Sequence, residues 1–332
     1  MTTSRWAVLG TGQIAQVFID AIAPLPDSEV VAVASSDAAR ARVFADGHRI
    51  ARSGRYDEVL ADPGIDAVYV ATVHTAHAEL AIAALRAGKP VLCEKPLAPA
   101  ADRTAEVLAV AAEVGLPVIE AYKYRFTPFA AAIQDVIESG RIGAVRSMSA
   151  SFGFRSVSRS GRLFDPALAG GAIYDVGGYP ASLAVAVARW AGIQGSALRI
   201  AEATGKVVRS TGVDKRTSAV IAADGFEARV ECAITRVLPR SIRIEGEDGV
   251  ITADDGWGSR GVSAREFEIH GSGAAERVEV PVVDPFAAEA GALIEAVRAG
   301  ATEAAWMPWD DTRATARLLD EWRAAVARSS GH

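Results

Sequence analysis

The stretch "VLGTGQIAQVF", Val8 to Phe18, decides the fold of this chain. An apolar run ends at Gly10, and the pattern G-x-G-x-x-A then opens an amphipathic segment. The first glycine permits a tight turn, the second leaves room for a pyrophosphate, and the alanine lets a helix pack closely on its strand. The pattern therefore predicts a dinucleotide site at a helix N-terminus. The cofactor-binding residues expected in this loop are Gly10, Gly12, Gln13 and Ile14.

The same alternation of strand and helix continues to about residue 123. Short apolar runs alternate with Ala-rich amphipathic segments, and several of these segments have a glycine just past their end. Continuous apolar strands that alternate with helices indicate a parallel sheet covered on both faces. Residues 1–123 are therefore predicted to form a doubly wound Rossmann domain. The predicted strands are Arg5–Gly10, Glu29–Ser35, Ala67–Thr72, Pro90–Lys95 and Pro117–Tyr122.

The character of the sequence changes after residue 123. One more helix is predicted in "PFAAAIQDVIESGRIG", and strands of alternating polarity joined by turns follow. This pattern is typical of an open, mostly antiparallel sheet with one face in solvent. Residues 124–332 are predicted to form an α+β domain for substrate binding and oligomerisation. The closing helices, at about 286–299 and 310–328, are expected to pack back on the N-terminal domain.

Composition excludes several classes of protein. The 332 residues carry a formal net charge of −6, so there is no basic field for nucleic acid. The two cysteines are far apart, which gives neither a disulfide framework nor a zinc knuckle. No run approaches the roughly 18 apolar residues of a membrane span, and the N-terminus lacks a secretory signal. We therefore expect a cytoplasmic protein that binds a small molecule and no membrane.

The choice of cofactor depends on the end of the second strand, "AVASSDAARARVF". An acidic side chain there would bind the ribose hydroxyls of NAD, whereas an arginine accommodates the 2′-phosphate of NADP. Ser35 and Ser36 stand at the tip, and Arg40 lies in the following helix. NADP is therefore favoured, with NAD as the alternative if Asp37 turns inward.

Five segments together resemble the glucose-fructose oxidoreductase/inositol dehydrogenase (Gfo/Idh/MocA) family. They are "GTGQIA", "RYDEVLADPGIDAVYVAT", "HAELAIAALRAGKPVLCEKPLA", "EAYKYRFTP" and "ALAGGAIYDVGGYPASLA". The resemblance implies a Rossmann domain with a second sheet domain, and a homodimer or homotetramer formed through that sheet. It also implies NAD(P)-dependent hydride transfer at a secondary or anomeric hydroxyl or carbonyl of a sugar, polyol or cyclic diol.

The family's catalytic elements have counterparts in this chain. The E-K-P element corresponds to "CEKPLA", so the resemblance implies that Lys95 reaches the reaction centre and that the following X-Pro bond is cis. The D-x-G-x-H/Y element supplies Asp175 and Tyr179, with tyrosine as in the branch of dimeric dihydrodiol dehydrogenases and xylose dehydrogenases. A phenol with a pKa of about 10 becomes a usable base beside an ammonium group. Tyr179 is thus the expected acid/base, although Lys95 could transfer the proton itself, and Asp175 would bind Lys95 or a substrate hydroxyl.

Weaker expectations concern the cofactor and substrate. Thr72, His77 and Arg125 are expected near the cofactor, and Glu94 is expected either to hold Lys95 or to bind the nicotinamide ribose. His74, His77 and Glu79 do not form a metal site, since no further ligand has compatible spacing. The expected substrate-binding residues are Lys123, Phe154, Arg155, Arg159, Arg162, Asp175 and Tyr179.

Two other functions fit the same resemblance. One is an enzyme that keeps its nicotinamide bound and catalyses a net hydrolysis, elimination or epimerisation. The other is a nucleotide-bound sugar sensor without turnover. A sensor has no need of the lysine and tyrosine, so their presence favours an enzyme.

Overall fold

The structure is a computed structural model that describes residues 3–158, 160–258 and 264–329. These residues form two compact units. The first comprises the described residues up to Lys123 together with Asp284–Trp309. The second comprises the described residues of Tyr124–Val283 and those from Asp310 onward.

A six-stranded parallel sheet forms the centre of the first unit. Its strands are β1 (Ser4–Leu9), β2 (Ser28–Ala34), β3 (Arg52–Gly54), β4 (Ala67–Val70), β5 (Val91–Cys93) and β6 (Val118–Glu120). They follow the order β3-β2-β1-β4-β5-β6, so the direction of winding reverses between β1 and β4. The doubly wound fold predicted from the sequence is confirmed. Strand β3 was not predicted, because three residues without an apolar run give no strand signal.

Six helices cover this sheet. They are α1 (Gln13–Ile22), α2 (Ala38–His48), α3 (Tyr56–Leu60), α4 (His74–Arg86), α5 (Ala101–Val114) and α8 (Pro285–Ala299). Helix α8 comes from late in the chain and contacts β5 and α1. The residues of β4 are all buried, which explains why this strand reads as a continuous apolar run.

The second unit is built on an eight-stranded sheet. Its strands are β7 (Val145–Gly153), β8 (Arg199–Val207), β9 (Asp214–Ala223), β10 (Phe226–Ala233), β11 (Ile242–Gly246), β12 (Val250–Ala253), β13 (Arg265–His270) and β14 (Glu276–Val280). Their order is β14-β13-β12-β11-β7-β10-β9-β8, and neighbours are antiparallel except β7 and β10. The predicted mostly antiparallel sheet is thus confirmed. Strand β8 was not predicted, because most of its residues are polar or small.

Three helices belong to the second unit. They are α6 (Pro128–Glu138), α7 (Gly178–Trp190) and α9 (Trp309–Ser329), whose first residue falls at the division. Helix α7 contacts β7 and β10. Helix α9 belongs to the second unit from Asp310 onward. The physical reason is packing: Trp322 Nε1 donates to Thr217 Oγ1 at 2.8 Å, and Val326 packs against Gly205 of β8.

No helix in the described parts of the chain combines the length and apolar character that a membrane crossing requires.

Arg125 departs from its expected role at the cofactor. Its side chain is fully buried in the second unit, where Nη2 donates to Asp311 Oδ2 at 2.5 Å and Nη1 donates to the Ser182 carbonyl at 3.0 Å. Arg189 Nε approaches the same carboxylate at 3.1 Å. The Arg125 guanidinium therefore joins α9 to α7, and it is not available to a ligand.

Removal of the Asp311 carboxylate should strongly destabilise the fold. Loss of one partner of a buried ion pair leaves an uncompensated charge, which costs about 3–5 kcal/mol. We expect Asp311→Ala to lower the free energy of unfolding by that amount in chemical denaturation. Asp310→Ala is the matched control, because this neighbour is 89% exposed and pairs only with Arg313 in the described structure. Equal effects of the two substitutions would contradict the structural role of the pair.

Candidate active site

The glycine-rich loop is shaped to receive a dinucleotide. Gly10 has φ +124°, and a Cβ at this position would collide with the Ala71 carbonyl at the end of β4. Gly12 begins α1 and has open space where a side chain would stand. No side chain caps this helix, so the amides of its first turn, at Gln13 and Ile14, lack a side-chain partner. Such a helix N-terminus fits a pyrophosphate.

The tip of β2 presents hydroxyls and arginines. Arg40 Nη2 donates to Ser35 Oγ and to Ser36 Oγ, both at 3.0 Å. Arg55 Nη1 donates to the Ser36 carbonyl at 3.2 Å. Asp37 faces its own helix, because its carboxylate accepts hydrogen bonds from the amides of Ala39 and Arg40 at 2.9 and 3.2 Å.

Arg55 was missed in the sequence. It follows β3, the short strand that lies beside β2 in the sheet, and without that strand nothing connects residue 55 with the β2 tip. Only a prediction of strand β3 would have placed residue 55 beside the tip of β2.

The turn that carries Lys95 is fixed by hydrogen bonds on several sides. The Lys95–Pro96 peptide bond is cis. The Glu94 amide donates to the Val70 carbonyl at 2.9 Å, and the Leu97 amide donates to Glu120 Oε1 at 2.9 Å. The Lys95 backbone is therefore anchored to β4 and to the end of β6, at the carboxyl edge of the sheet where ligands bind in this class of fold.

His77 contributes to the same turn. Its ring is fully buried, with Nδ1 at 2.8 Å from the Pro96 carbonyl and Nε2 at 3.2 Å from the Thr72 carbonyl. Burial lowers the pKa of His77, so the ring is neutral near pH 7 and carries one N–H. The shorter contact assigns that proton to Nδ1, which donates to Pro96. His77 thus supports the Lys95 turn from the protein interior, whereas the sequence predicts it at the cofactor.

Both carboxylate oxygens of Glu94 are engaged in the first unit. Oε1 accepts from the Tyr69 hydroxyl at 2.9 Å, and Oε2 accepts from the Lys95 amide at 3.2 Å. Burial, and next the charge of Glu94, raise the pKa of Tyr69 well above its usual value. Tyr69 therefore stays a neutral donor, and Glu94 holds the backbone of the catalytic turn.

A second carboxyl group, Glu289 on α8, was not predicted from the sequence. It is fully buried, and within the described chain neither of its oxygens has a hydrogen-bond partner. Burial, and next the charge of Glu94, raise its pKa well above the usual value, while Lys123 acts in the opposite direction. The Lys123 ammonium lies 5.2 Å from the centroid of the Phe286 ring on the same helix.

The raised pKa predicts that Glu289→Gln stabilises the protein at high pH. Glu289 favours the folded state fully below its unfolded pKa of about 4.5 and loses this contribution as pH rises through the higher folded pKa. A neutral amide has no such penalty. We expect the midpoint of thermal unfolding of the variant to exceed that of the parent at pH 8, by about 2–4 °C for each kcal/mol gained. The difference should vanish near pH 4.

Glu295→Gln on the same helix is the control for this prediction. Its side chain is exposed, so the substitution should leave the thermal midpoint unchanged at both pH values. A Glu289→Gln protein that melts below its parent at pH 8 would show that Glu289 is charged and stabilising.

The second catalytic segment begins at Gly171 and is braced by Asp214. The Asp214 carboxylate accepts from the Ile173 amide at 2.8 Å, and a Cβ on Gly171 would collide with it. Residues Ile173–Gly177 then form a π-helix that leads directly into α7. This wider helical turn often marks functional sites.

Asp175 and Tyr179 are both buried on this segment. Arg162 Nη1 lies 2.9 Å from Asp175 Oδ1, so a predicted substrate residue binds the predicted catalytic carboxylate. The Tyr179 ring contacts Phe152 and Trp257 edge-on, with centroid distances of 5.1 and 5.8 Å. Aromatic packing therefore fixes the plane of the phenol. Trp257 was missed, because it follows β12 in a loop with no motif around it.

The remaining predicted residues lie in the loop after β7. The Phe154 amide donates to the Ala233 carbonyl at 3.0 Å, and Arg155 pairs with Thr235 in an isolated β-bridge. Arg159 lies outside the described residues. Within the described ranges no three His, Cys, Asp or Glu side chains group as a metal site requires.

Several known proteins are similar to this chain in sequence and in fold. Residues 4–122 match the oxidoreductase family with an NAD-binding Rossmann fold (Gfo/Idh/MocA), and residues 130–252 match the Gfo/Idh/MocA C-terminal domain. A trans-1,2-dihydrobenzene-1,2-diol dehydrogenase of Xenopus tropicalis is 31% identical over 275 residues, which cover 80% of this chain and 81% of that protein. The D-xylose 1-dehydrogenase (NADP(+)) 2 of Haloferax volcanii is 34% identical over 300 residues and 90% of each chain.

One solved structure is similar over almost the whole length. A 3-ketoreductase from Actinomadura kijaniata, in complex with NADP and TDP-benzene, has a TM-score of 0.87, 27% sequence identity and 98% coverage of both chains. The chain belongs to the Gfo/Idh/MocA family of oxidoreductases, as its sequence motifs indicate.

Proposed function

We propose that this protein is an NADP-dependent dehydrogenase or reductase of sugars, polyols or cyclic diols. It transfers a hydride between nicotinamide and a secondary or anomeric carbon. The observation that carries the proposal is the Lys95 turn, whose backbone is anchored at the ligand-binding edge of the sheet by Val70, Glu120 and His77. The relatives named above act on a cyclic diol, on xylose and on a keto group, which supports this range of substrates.

The β2 tip supports NADP as the cofactor. A 2′-phosphate is recognised by arginine and small hydroxyls, and Arg40, Ser35 and Ser36 already form a connected group. Asp37 cannot bind the ribose while it caps α2. Arg55 brings a second guanidinium to the same tip and strengthens its preference for an added phosphate.

Loss of either arginine should weaken the binding of NADP⁺ and not that of NAD⁺. Each charge-assisted hydrogen bond is worth about 1.5–3 kcal/mol, so we expect Arg40→Ala and Arg55→Ala to raise the KM for NADP⁺ about 10- to 100-fold. The KM for NAD⁺ should stay within about threefold. Arg42→Ala, an exposed arginine on the same helix, is the control and should change neither constant. Equal losses for both cofactors would contradict a role at the 2′-phosphate.

The catalytic residues would divide the chemistry as follows. The nicotinamide, when bound, accepts or delivers the hydride. In the direction of oxidation, Tyr179 takes the proton of the substrate hydroxyl as the hydride leaves its carbon, and in reduction it returns that proton. Lys95 is the residue that we propose to favour the phenolate, since an ammonium group near a phenol has this effect. Arg162 keeps Asp175 oriented as an acceptor for a further substrate hydroxyl.

Substitution of Tyr179 tests its proposed role as the acid/base group. General acid/base catalysis contributes about 10²- to 10⁴-fold, so Tyr179→Phe should lower kcat by that factor while the KM for NADP⁺ is retained. Lys95→Met should lower kcat similarly and, in the direction of oxidation, shift the rising limb of the pH–rate profile to higher pH, because the phenol then loses its proton less readily. The measurement is absorbance at 340 nm with a panel of pyranoses, inositols and cyclic diols.

Tyr174→Phe is the matched control for this experiment. It removes a phenolic oxygen from the same segment, but one that hydrogen-bonds Asp320 and Arg323 on α9. Its kcat should remain within a few-fold of the parent. Product formation without net change of cofactor would reject the dehydrogenase in favour of a net non-redox reaction, and near-parental kcat in Tyr179→Phe would reject the assigned base.

We also propose self-association through the second sheet, as the family resemblance implies. Helix α7 packs against β7 and β10, whereas half-exposed polar residues such as Arg216 and Glu231 pair across β9 and β10. Such a polar, ion-paired face suits an interface between copies of one chain.

A further inference from the structure

A cavity in the second unit is lined in part by Arg155, one of the residues predicted to bind substrate, and its other lining residues have no role in the chemistry described above. It has a volume of about 530 Å³ and is lined by Arg155, Ser156, Val157, Phe164, Val208, Lys215 and Thr235. This volume lies within the range of about 300–1,000 Å³ that is typical of small-molecule sites. The described lining contains two cationic side chains, three apolar ones and no acidic one.

The two cations are uncompensated. Within the described residues, neither the Arg155 guanidinium nor the Lys215 ammonium has a carboxylate within ion-pair distance. Three other arginines of the second unit form ion pairs. Arg162 pairs with Asp175, Arg216 with Glu231 and Arg240 with Asp255. In a chain of net charge −6, two unpaired cations that line one cavity form a local positive site.

The backbone sets the distance between these cations. Arg155 extends β7 and bridges to Thr235, which extends β10, and Lys215 lies in β9 on the other side of β10. The Ile234 amide donates to the Lys215 carbonyl at 3.1 Å, which ties the three segments together. Two strand spacings separate the two backbones by about 10 Å. Two long side chains can therefore converge on one phosphate or carboxylate.

The same strands also support the catalytic segment. Asp214, next to Lys215, braces the π-helix at Ile173, and Phe152, three residues before Arg155, contacts the Tyr179 ring. Three residues of extended chain span about 10 Å. The cavity is therefore lined by a residue about 10 Å along the chain from Phe152, which contacts the Tyr179 ring. The buried Phe164 and the half-buried Val208 add apolar surface that suits the face of a sugar ring.

We propose that this cavity binds an anionic group of the substrate. The preferred substrate is then a sugar or polyol that carries a carboxylate or a phosphate away from the reacting carbon. This inference rests on the proposed function and narrows its substrate class from neutral to acidic compounds.

Matched substrate pairs test the proposal. With saturating NADP⁺, we expect kcat/KM to be at least tenfold higher for the charged member of each pair: glucuronate over glucose, glucose 6-phosphate over glucose, and a nucleoside-diphosphate sugar over the free sugar. The pair with the largest ratio identifies the anion as carboxylate, monophosphate or diphosphate. Equal values within all three pairs would overturn the inference and leave the proposed function intact.

Substitutions that remove the charge of Arg155 or Lys215 provide a second test of the proposal. Arg155→Gln and Lys215→Gln should each lower kcat/KM for the charged substrate about tenfold, a clearly larger loss than for its neutral partner. Lys206→Gln, an exposed lysine on β8 that does not line the cavity, is the control and should change neither value. Equal losses for charged and neutral substrates would show a structural role only and overturn the proposal.

A binding measurement separates this inference from the proposed function. Titration calorimetry of the NADP⁺-saturated protein with glucuronate and glucose 6-phosphate should show binding that the Arg155→Gln/Lys215→Gln double variant loses. This result would support the anion site even if no substrate were turned over, in which case the proposed reaction alone would fail. Undiminished binding by the double variant would overturn the site.

Discussion

The catalytic turn depends on one constraint: the chain after β5 must leave the sheet in a fixed direction. Hydrogen bonds from three places impose it, because Val70 receives the Glu94 amide, Glu120 receives the Leu97 amide and His77 donates to the Pro96 carbonyl. Every one of these contacts is to backbone, so they set where Lys95 starts without engaging its ammonium group. Precise placement of a reacting group lowers the barrier of a reaction, which is consistent with the role proposed for Lys95.

Two buried acids, Glu94 and Glu289, belong to the same unit as this turn. Glu94 accepts hydrogen bonds from the Tyr69 hydroxyl and from the Lys95 amide. Glu289 has no hydrogen-bond partner in the described chain and lies near the charge of Glu94, so its neutral form is favoured. Two glutamates in one unit thus differ in their environment, because only one of them is hydrogen-bonded within the described chain.

The second unit positions its predicted catalytic residues through different contacts. Asp214 braces the start of the catalytic segment, aromatic rings hold Tyr179, and Arg162 holds Asp175. Two strands that support this segment also carry the unpaired Arg155 and Lys215. One sheet therefore supports both the segment that carries Tyr179 and the cavity of the proposed anion site.

The sequence by itself determined the doubly wound fold, the glycine loop and the positions of Lys95, Asp175 and Tyr179 in their motifs. These features are local, because each depends on residues within a few positions of one another. Only the tertiary structure decided that Arg125 is a buried ion-pair partner of Asp311, 186 positions away, and that His77 supports a turn instead of a ligand. It also brought Arg55 to the β2 tip and Glu289 toward Glu94. Such contacts arise from strand order and helix packing, which no spacing along the chain encodes.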